Sequence, residues 1–257
     1  MTKNAKIAII VSILAVIAVI ITLSSTVFTV KQAELVWYKE PSANLSSINN
    51  DAILQKSTVQ SQSVFFLDRD KATMAIETAY PDVRVISIEV VWPSIMKVHA
   101  VERQAVYCLP AKNNKFALVD EYFKVLEVLS TFDNTKMNAA FINSDALKDV
   151  EVVKGQDLSI FGKTILDDVY YSFVELERDL IDFKAIIKSI TLSESNMTIT
   201  THQGTTINID KPFANTRAKM RLAIKTFDTL TTKDYPNSVI EVFLNLDNEL
   251  ESRFYKN

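Results

Sequence analysis

Four acids crowd one stretch of the chain, Glu175, Glu177, Asp179 and Asp182. Carboxylates at such spacing are the material of general acid–base work or of a divalent-ion site. They have no convergent partners in the sequence and are interleaved with Arg178 and Lys184, so they read as one face of a solvated helix. Histidine occurs twice, at His99 and His202, which is not metal-ligand spacing. Cys108 is the only cysteine, so no intrachain disulfide forms. Serines and lysines are plentiful, but a nucleophile needs an oriented base, and no such constellation stands out. The three glycines, Gly155, Gly162 and Gly204, form no phosphate-cradling loop. No catalytic residue, no metal ligand and no cofactor-binding residue is assigned.

The elements that surround these residues explain the chemistry better. The chain has 257 residues, is 48% apolar and carries a net charge of −3. That length suffices for one large or two small cores, and a near-neutral balance argues against nucleic acid as a partner. Residues 7–30 contain no charge, behind Lys3 and Lys6. A run of about twenty apolar residues spans a ~30 Å hydrocarbon core, and flanking lysines keep an N-terminus cytoplasmic. The expectation is a single transmembrane helix over 7–28 after a cytoplasmic tail of 1–6. The bulk would then lie outside the cytoplasm, and the protein would be a single-pass protein of the plasma (inner) membrane. A cleaved signal peptide is the competing reading, although no A-x-A site follows.

Beyond it, 27–37 alternates as a strand and 39–47 reads as a loop, followed by a weak helix over 47–56. Asp68 is placed to cap a helix that Pro81 ends. The β-branched run 83–91, the turn Trp92-Pro93-Ser94 and a returning strand complete the order βααββ. Asn113-Asn114 suits a hairpin between 106–111 and 115–119, because Asn tolerates positive φ. Further strand candidates are 141–142, 150–153 and 158–160. Apolar residues at helical spacing predict one long helix over 166–188 and another over 215–230. The second has a basic face of Arg217, Lys219, Arg221 and Lys225, read as solvated. Short strands over 190–192, 197–201 and 205–209 separate these helices. A strand over 238–245, a turn at Leu246-Asp247-Asn248 and a final strand over 249–255 close the chain.

Phe65-Phe66-Leu67-Asp68, Pro81-Asp82-Val83, Pro93 and Val101-Glu102-Arg103-Gln104-Ala105 stand in the order found in the POTRA domain of the FtsQ/DivIB bacterial cell-division family, which this region resembles. Gln104 replaces the family's usual Pro, and Trp37-Tyr38-Lys39 replaces its usual Gly-Asn-type turn. The run Phe116-Ala117-Leu118-Val119-Asp120, then Val125-Leu126, resembles the same family's β-domain without its Gly. The resemblance implies an α+β chain: the transmembrane helix, a POTRA domain over 29–107 and a mixed, mostly antiparallel β-domain with flanking helices over 108–257. It further implies a non-enzymatic scaffold at the division site that binds FtsB/DivIC–FtsL-like partners through a strand edge. By position the contact residues are Leu244, Glu249, Leu250, Ser252, Phe254 and Tyr255, with Glu102 and Arg103 at the domain junction. No cofactor and no small-molecule substrate is implied. A POTRA-bearing module of an envelope-assembly or secretion machine and a membrane-tethered hydrolase are the alternatives.

Overall fold

The computed structural model describes residues 3–133 and 138–256, and the side chains of all of these except 3–8 and 23–26. The chain divides into two compact units, Met1–Arg103 and Gln104–Asn257. It is α+β throughout.

The first unit opens with helix α1 (Lys3–Thr26). Here the structure corrects the sequence reading. Among the described residues no helix is long and apolar enough to cross a membrane. Of the expected span 7–28, the side chains of 9–22 and 27–28 are described. The remaining residues of the expected span, 7–8 and 23–26, lie outside the described side chains. Neither the single transmembrane helix over 7–28 nor the single-pass plasma-membrane localisation, with its extracytoplasmic bulk, is therefore retained.

After α1 come β1 (Gln32–Trp37), α2 (Ala43–Ser46), α3 (Asn50–Lys56), α4 (Arg69–Ala79), β2 (Val83–Val91) and β3 (Ile95–Glu102). The one-turn α2 falls where the sequence suggested only a loop. The sheet order is β1-β3-β2, with β1 parallel and β2 antiparallel to β3. Asp68 caps α4 as its type and place require: its carboxylate accepts the Lys71 N–H at 3.0 Å. Ile53, Leu54, Ala72 and Ile76 from the helices pack on Val83, Ile88, Met96, Val98 and Ala100 from the sheet. Phe28, Phe65 and Trp92 meet edge to face at 5.2–5.5 Å and brace the β2–β3 turn.

The second unit is one nine-stranded sheet, ordered β12-β11-β10-β9-β8-β7-β4-β5-β6, with helices α5, α6 and α7 packed against it. Its elements are β4 (Tyr107–Ala111), β5 (Lys115–Val119), β6 (Val125–Leu129), β7 (Ala140–Asn143), α5 (Lys163–Glu175), α6 (Leu180–Ile186), β8 (Ile187–Leu192), β9 (Asn196–Thr201), β10 (Thr206–Asp210), α7 (Thr216–Asp228), β11 (Ser238–Leu244) and β12 (Leu250–Lys256). Pairing is parallel at β4–β7, β7–β8 and β10–β11 and antiparallel elsewhere. The β4–β5 connection turns on Asn113 and Asn114, both with positive φ. The segments 150–153 and 158–160 are not strands.

The single helix expected over 166–188 is two helices, α5 and α6, and the reason is local. Asp179 makes a capping box: its carboxylate accepts from Ile181 and Asp182 N–H, while that of Asp182 accepts from the Asp179 N–H. Glu177 turns through a left-handed φ of 59° just before it. The break lets Phe173 and Phe183 meet at 5.2 Å in one core, and it frees Ile187 and Lys188 to begin β8. Cys108 lies fully buried on β4. Burial pushes its thiol from an ordinary value near 9.0 up to about 12.

Two consequences are measurable. Asp179→Ala removes the α6 cap and should cost about 0.5–2 kcal/mol in a denaturant melt, with the fold retained. Cys108 should stay unalkylated by iodoacetamide at pH 8 in the native protein and take up one equivalent once unfolded. Its folded value is the higher one, so its contribution to stability is full below pH 9 and declines from there toward pH 12. Native alkylation at the unfolded rate would contradict the burial.

Candidate functional site

β12 forms because Asn245 organises the turn before it. Its Oδ1 accepts from Asp247 N–H at 2.9 Å and Glu249 N–H at 2.8 Å, and Asn248 supplies a positive φ. Asn245 N–H donates to the Glu249 carbonyl at 2.9 Å, which fixes the pairing of Ser238 with Lys256 through to Leu244 with Leu250. In an antiparallel ladder, residues that exchange bonds with the neighbour alternate with residues that turn N–H and C=O the other way. With 245 and 249 bonded, Leu250, Ser252 and Phe254 turn their backbone groups outward. β12 has no neighbour on that side among the described strands.

The side chains sort onto two faces. Toward α7, Leu250 packs against the core and the Ser252 hydroxyl meets that of Thr226 at 2.9 Å. On the opposite face the Arg253 guanidinium lies 4.7 Å over the Phe243 ring, and the Tyr255 hydroxyl donates to Glu241 at 2.7 Å. That hydrogen bond to a carboxylate raises the Tyr255 phenol above its ordinary range. Phe254 and Tyr255 are 42% and 41% exposed. Leu244 ends β11 half-buried, and Glu249 sits exposed in the turn rather than in the strand. The structure thus brings the six residues together along one hairpin.

The far margin of the same sheet is treated differently. Val125 N–H donates to the Gln156 carbonyl at 2.8 Å, and Gly155 N–H donates to the Val125 carbonyl at 2.7 Å. The Lys124 ammonium holds Asp157 at 3.1 Å. The chain's own segment 153–158 therefore covers the start of β6.

Glu102 and Arg103 find their described partners within the first unit. Glu102 accepts from the Ser42 N–H and hydroxyl, both at 2.6 Å. Arg103 donates through Nη2 to Glu77 at 2.8 Å and through Nε to the Val83 carbonyl at 3.4 Å, while Glu77 accepts the Val85 N–H at 2.9 Å. These are main-chain groups of β2, so the ion pair closes the beginning of that margin.

The groups with chemical potential do not converge. Glu175 pairs with Arg217 at 3.2 Å and Arg221 at 3.6 Å, tying α5 to α7, and Asp168 adds a second contact to Arg217. Lys219, expected on the solvated basic face, is buried instead. Its ammonium donates to the carbonyls of Asp210 and Lys211 at 2.7 and 3.0 Å, and burial lowers its pKa. Burial raises Asp167 and Tyr107 and lowers Lys184; the Tyr107 hydroxyl donates to the Leu166 carbonyl at 2.8 Å. A desolvated phenol bound to main chain is a core group. His99 lies 3.4 Å from Glu89, in the first unit, and His202 sits in the β9–β10 turn. Among the described residues no group of three His, Cys, Asp or Glu side chains is placed to hold a metal ion.

One feature escaped the sequence reading. Lys31, Gln32 and Ala33 of the β1 region and Asp51, Leu54, Gln55 and Gln60 line a cavity of about 330 Å³. Polar residues on a short helix give no period that would flag it.

Comparison with known proteins places no family beside this geometry: no protein-family model matches the chain, and no curated protein matches it in sequence.

Proposed function

We propose that the chain is a non-enzymatic scaffold that works by strand docking, of the FtsQ/DivIB cell-division type its motifs resemble. It takes an extended segment of an FtsB/DivIC–FtsL-like partner along β12. The observation that carries this reading is the contrast between the two ends of the nine-stranded sheet. β6 is partly covered by the chain itself, whereas Leu250, Ser252 and Phe254 turn main-chain donors and acceptors to a side where no described strand pairs with them. An unpaired margin is a template for another strand, and natural proteins blunt margins they do not use. Phe254 and Tyr255, half-exposed on opposite faces, supply the side-chain selectivity that alternates along such a strand.

The test is capture of a recombinant FtsB/DivIC–FtsL-like pair by the full chain. Ser252→Pro deletes one outward N–H without touching the bonds to β11, and proline is tolerated on an edge. Capture should fall at least tenfold while the circular dichroism spectrum is kept. Deleting residues 246–257 should abolish capture and leave a folded remainder. Undiminished capture by either folded variant would remove the site from β12. Failure of the unmodified chain to capture the pair would remove the division role.

A further inference from the structure

The first unit has its own open margin, and we propose that β1 is a second docking strand, for an extended neutral peptide rich in amide and hydroxyl side chains. This goes beyond the β12 reading and stands on separate residues.

The margin is defined by hydrogen bonding. Gln32 and Tyr38 give their N–H groups to the Ser94 and Ala100 carbonyls of the β3 side, at 3.4 and 2.9 Å. The alternation of a parallel ladder then turns Ala33, Leu35 and Trp37 away from β3. Among the described residues these three have no main-chain partner. The opposite margin of this sheet, at β2, is closed at its beginning by Glu77 and Arg103. Among the described residues β1 has no comparable closure anywhere along its length.

The chain itself shows what this margin accepts. Immediately before β1, Val30 donates to the Gln62 carbonyl at 2.9 Å and accepts from Ser61 N–H at 3.0 Å, and Val64 N–H donates to the Phe28 carbonyl at 2.8 Å. Thr29 and Ser63 form an antiparallel bridge. The stretch Gln62-Ser63-Val64 thus lies antiparallel along the line of the margin, with Ser61 donating to it from the turn. It leaves at Ser61, where φ is 67°, so β1 proper stays bare. A docked strand continues the antiparallel line that this segment abandons.

The groove beside the bare stretch sets the chemistry. Gln55 and Gln60 offer amides that both donate and accept, the Gln32 amide donates to Glu34 at 3.1 Å, and Lys31 and Asp51 contribute opposite charges that leave the lining neutral. Amide and hydroxyl side chains satisfy such a lining. A run of like charges finds no net opposite charge in this lining to meet it. The cavity, about 330 Å³, takes side chains rather than a folded domain.

Hydrogen exchange on the full chain tests the idea, with the synthetic peptides acetyl-TQTQTQT-amide and acetyl-TKTKTKT-amide as probes. The glutamine peptide should slow exchange of the Ala33, Leu35 and Trp37 amides at least tenfold and leave 250–256 unchanged. The lysine peptide should bind at least tenfold more weakly. Leu35→Pro, which removes an outward N–H, should abolish the protection. Should that variant misfold, Gln55→Lys on the exposed side of α3 should weaken glutamine-peptide binding at least fivefold with the fold intact. Absence of protection at millimolar peptide, protection at 250–256 in place of 32–37, or equal binding of the two peptides would each overturn the proposal.

Discussion

Main-chain hydrogen bonding governs this molecule more than any side-chain interaction. Every strand residue except Pro110 in β4 has both a main-chain donor and an acceptor, and a buried one left unpaired costs roughly 1–3 kcal/mol. A sheet's interior solves that by pairing; its two margins do not. Each of the two sheets here has one margin whose beginning is closed by the chain's own groups and one with no such closure among the described residues. At β2 the closure is a carboxylate and a guanidinium, Glu77 and Arg103, standing in for a strand. At β6 it is main chain, the segment around Gly155 and Gln156. The shared result from different chemistry is what makes the open margins at β1 and β12 informative.

The helices of the second unit serve the same constraint. α5 and α7 cover one face of the sheet, and their mutual contact is fixed by Arg217 and Arg221 on Asp168 and Glu175. Lys219 goes further, spending its charge on two carbonyls where β10 ends. A strand end beside a helix leaves carbonyls without ladder partners, and a long flexible ammonium can reach two at once. This explains a buried lysine without invoking catalysis. It also explains why α7 can sit beside β12: Thr226 meets Ser252 on the inward side and leaves the outward main chain clear.

Much of the local structure was legible in the sequence. Asp68 and Pro81 bound a helix through capping and through the missing N–H of proline, and those effects act within a few residues. Asn113-Asn114 marked a turn for the same local reason. The hairpin ending in 250–256 was legible too, since alternation and a polar turn coincide there. What was not legible depends on contacts distant in sequence. The apolar stripe through Phe173, Leu176, Leu180 and Phe183 keeps helical spacing across 176–179, so periodicity alone joins two helices that a capping box separates. The parallel pairings of β4 with β7 and β10 with β11 leave no short-range signature, and the burial of Lys219 follows from β10 rather than from α7. The apolar N-terminal run argued for a membrane span from composition alone, and among the described residues no helix is long and apolar enough for one.

The candidate sites were legible to different depths for a physical reason. β12 was reached through the resemblance, which placed the contact residues on a hairpin that alternation and a polar turn already marked. β1 was invisible as a margin because the first strand of a unit is as often interior as outermost, and only the order β1-β3-β2 decides. Its groove combines residues from 31–33, 51–55 and 60, none of which stands out by type. Yet the two margins obey one rule. A strand can be kept open safely only if its neighbours limit what pairs with it: Arg253 and Tyr255 beside β12, held by Phe243 and Glu241, and the glutamines beside β1. On the docking reading proposed above, selectivity at each margin would come from these side chains, while the main chain would supply the attraction common to both.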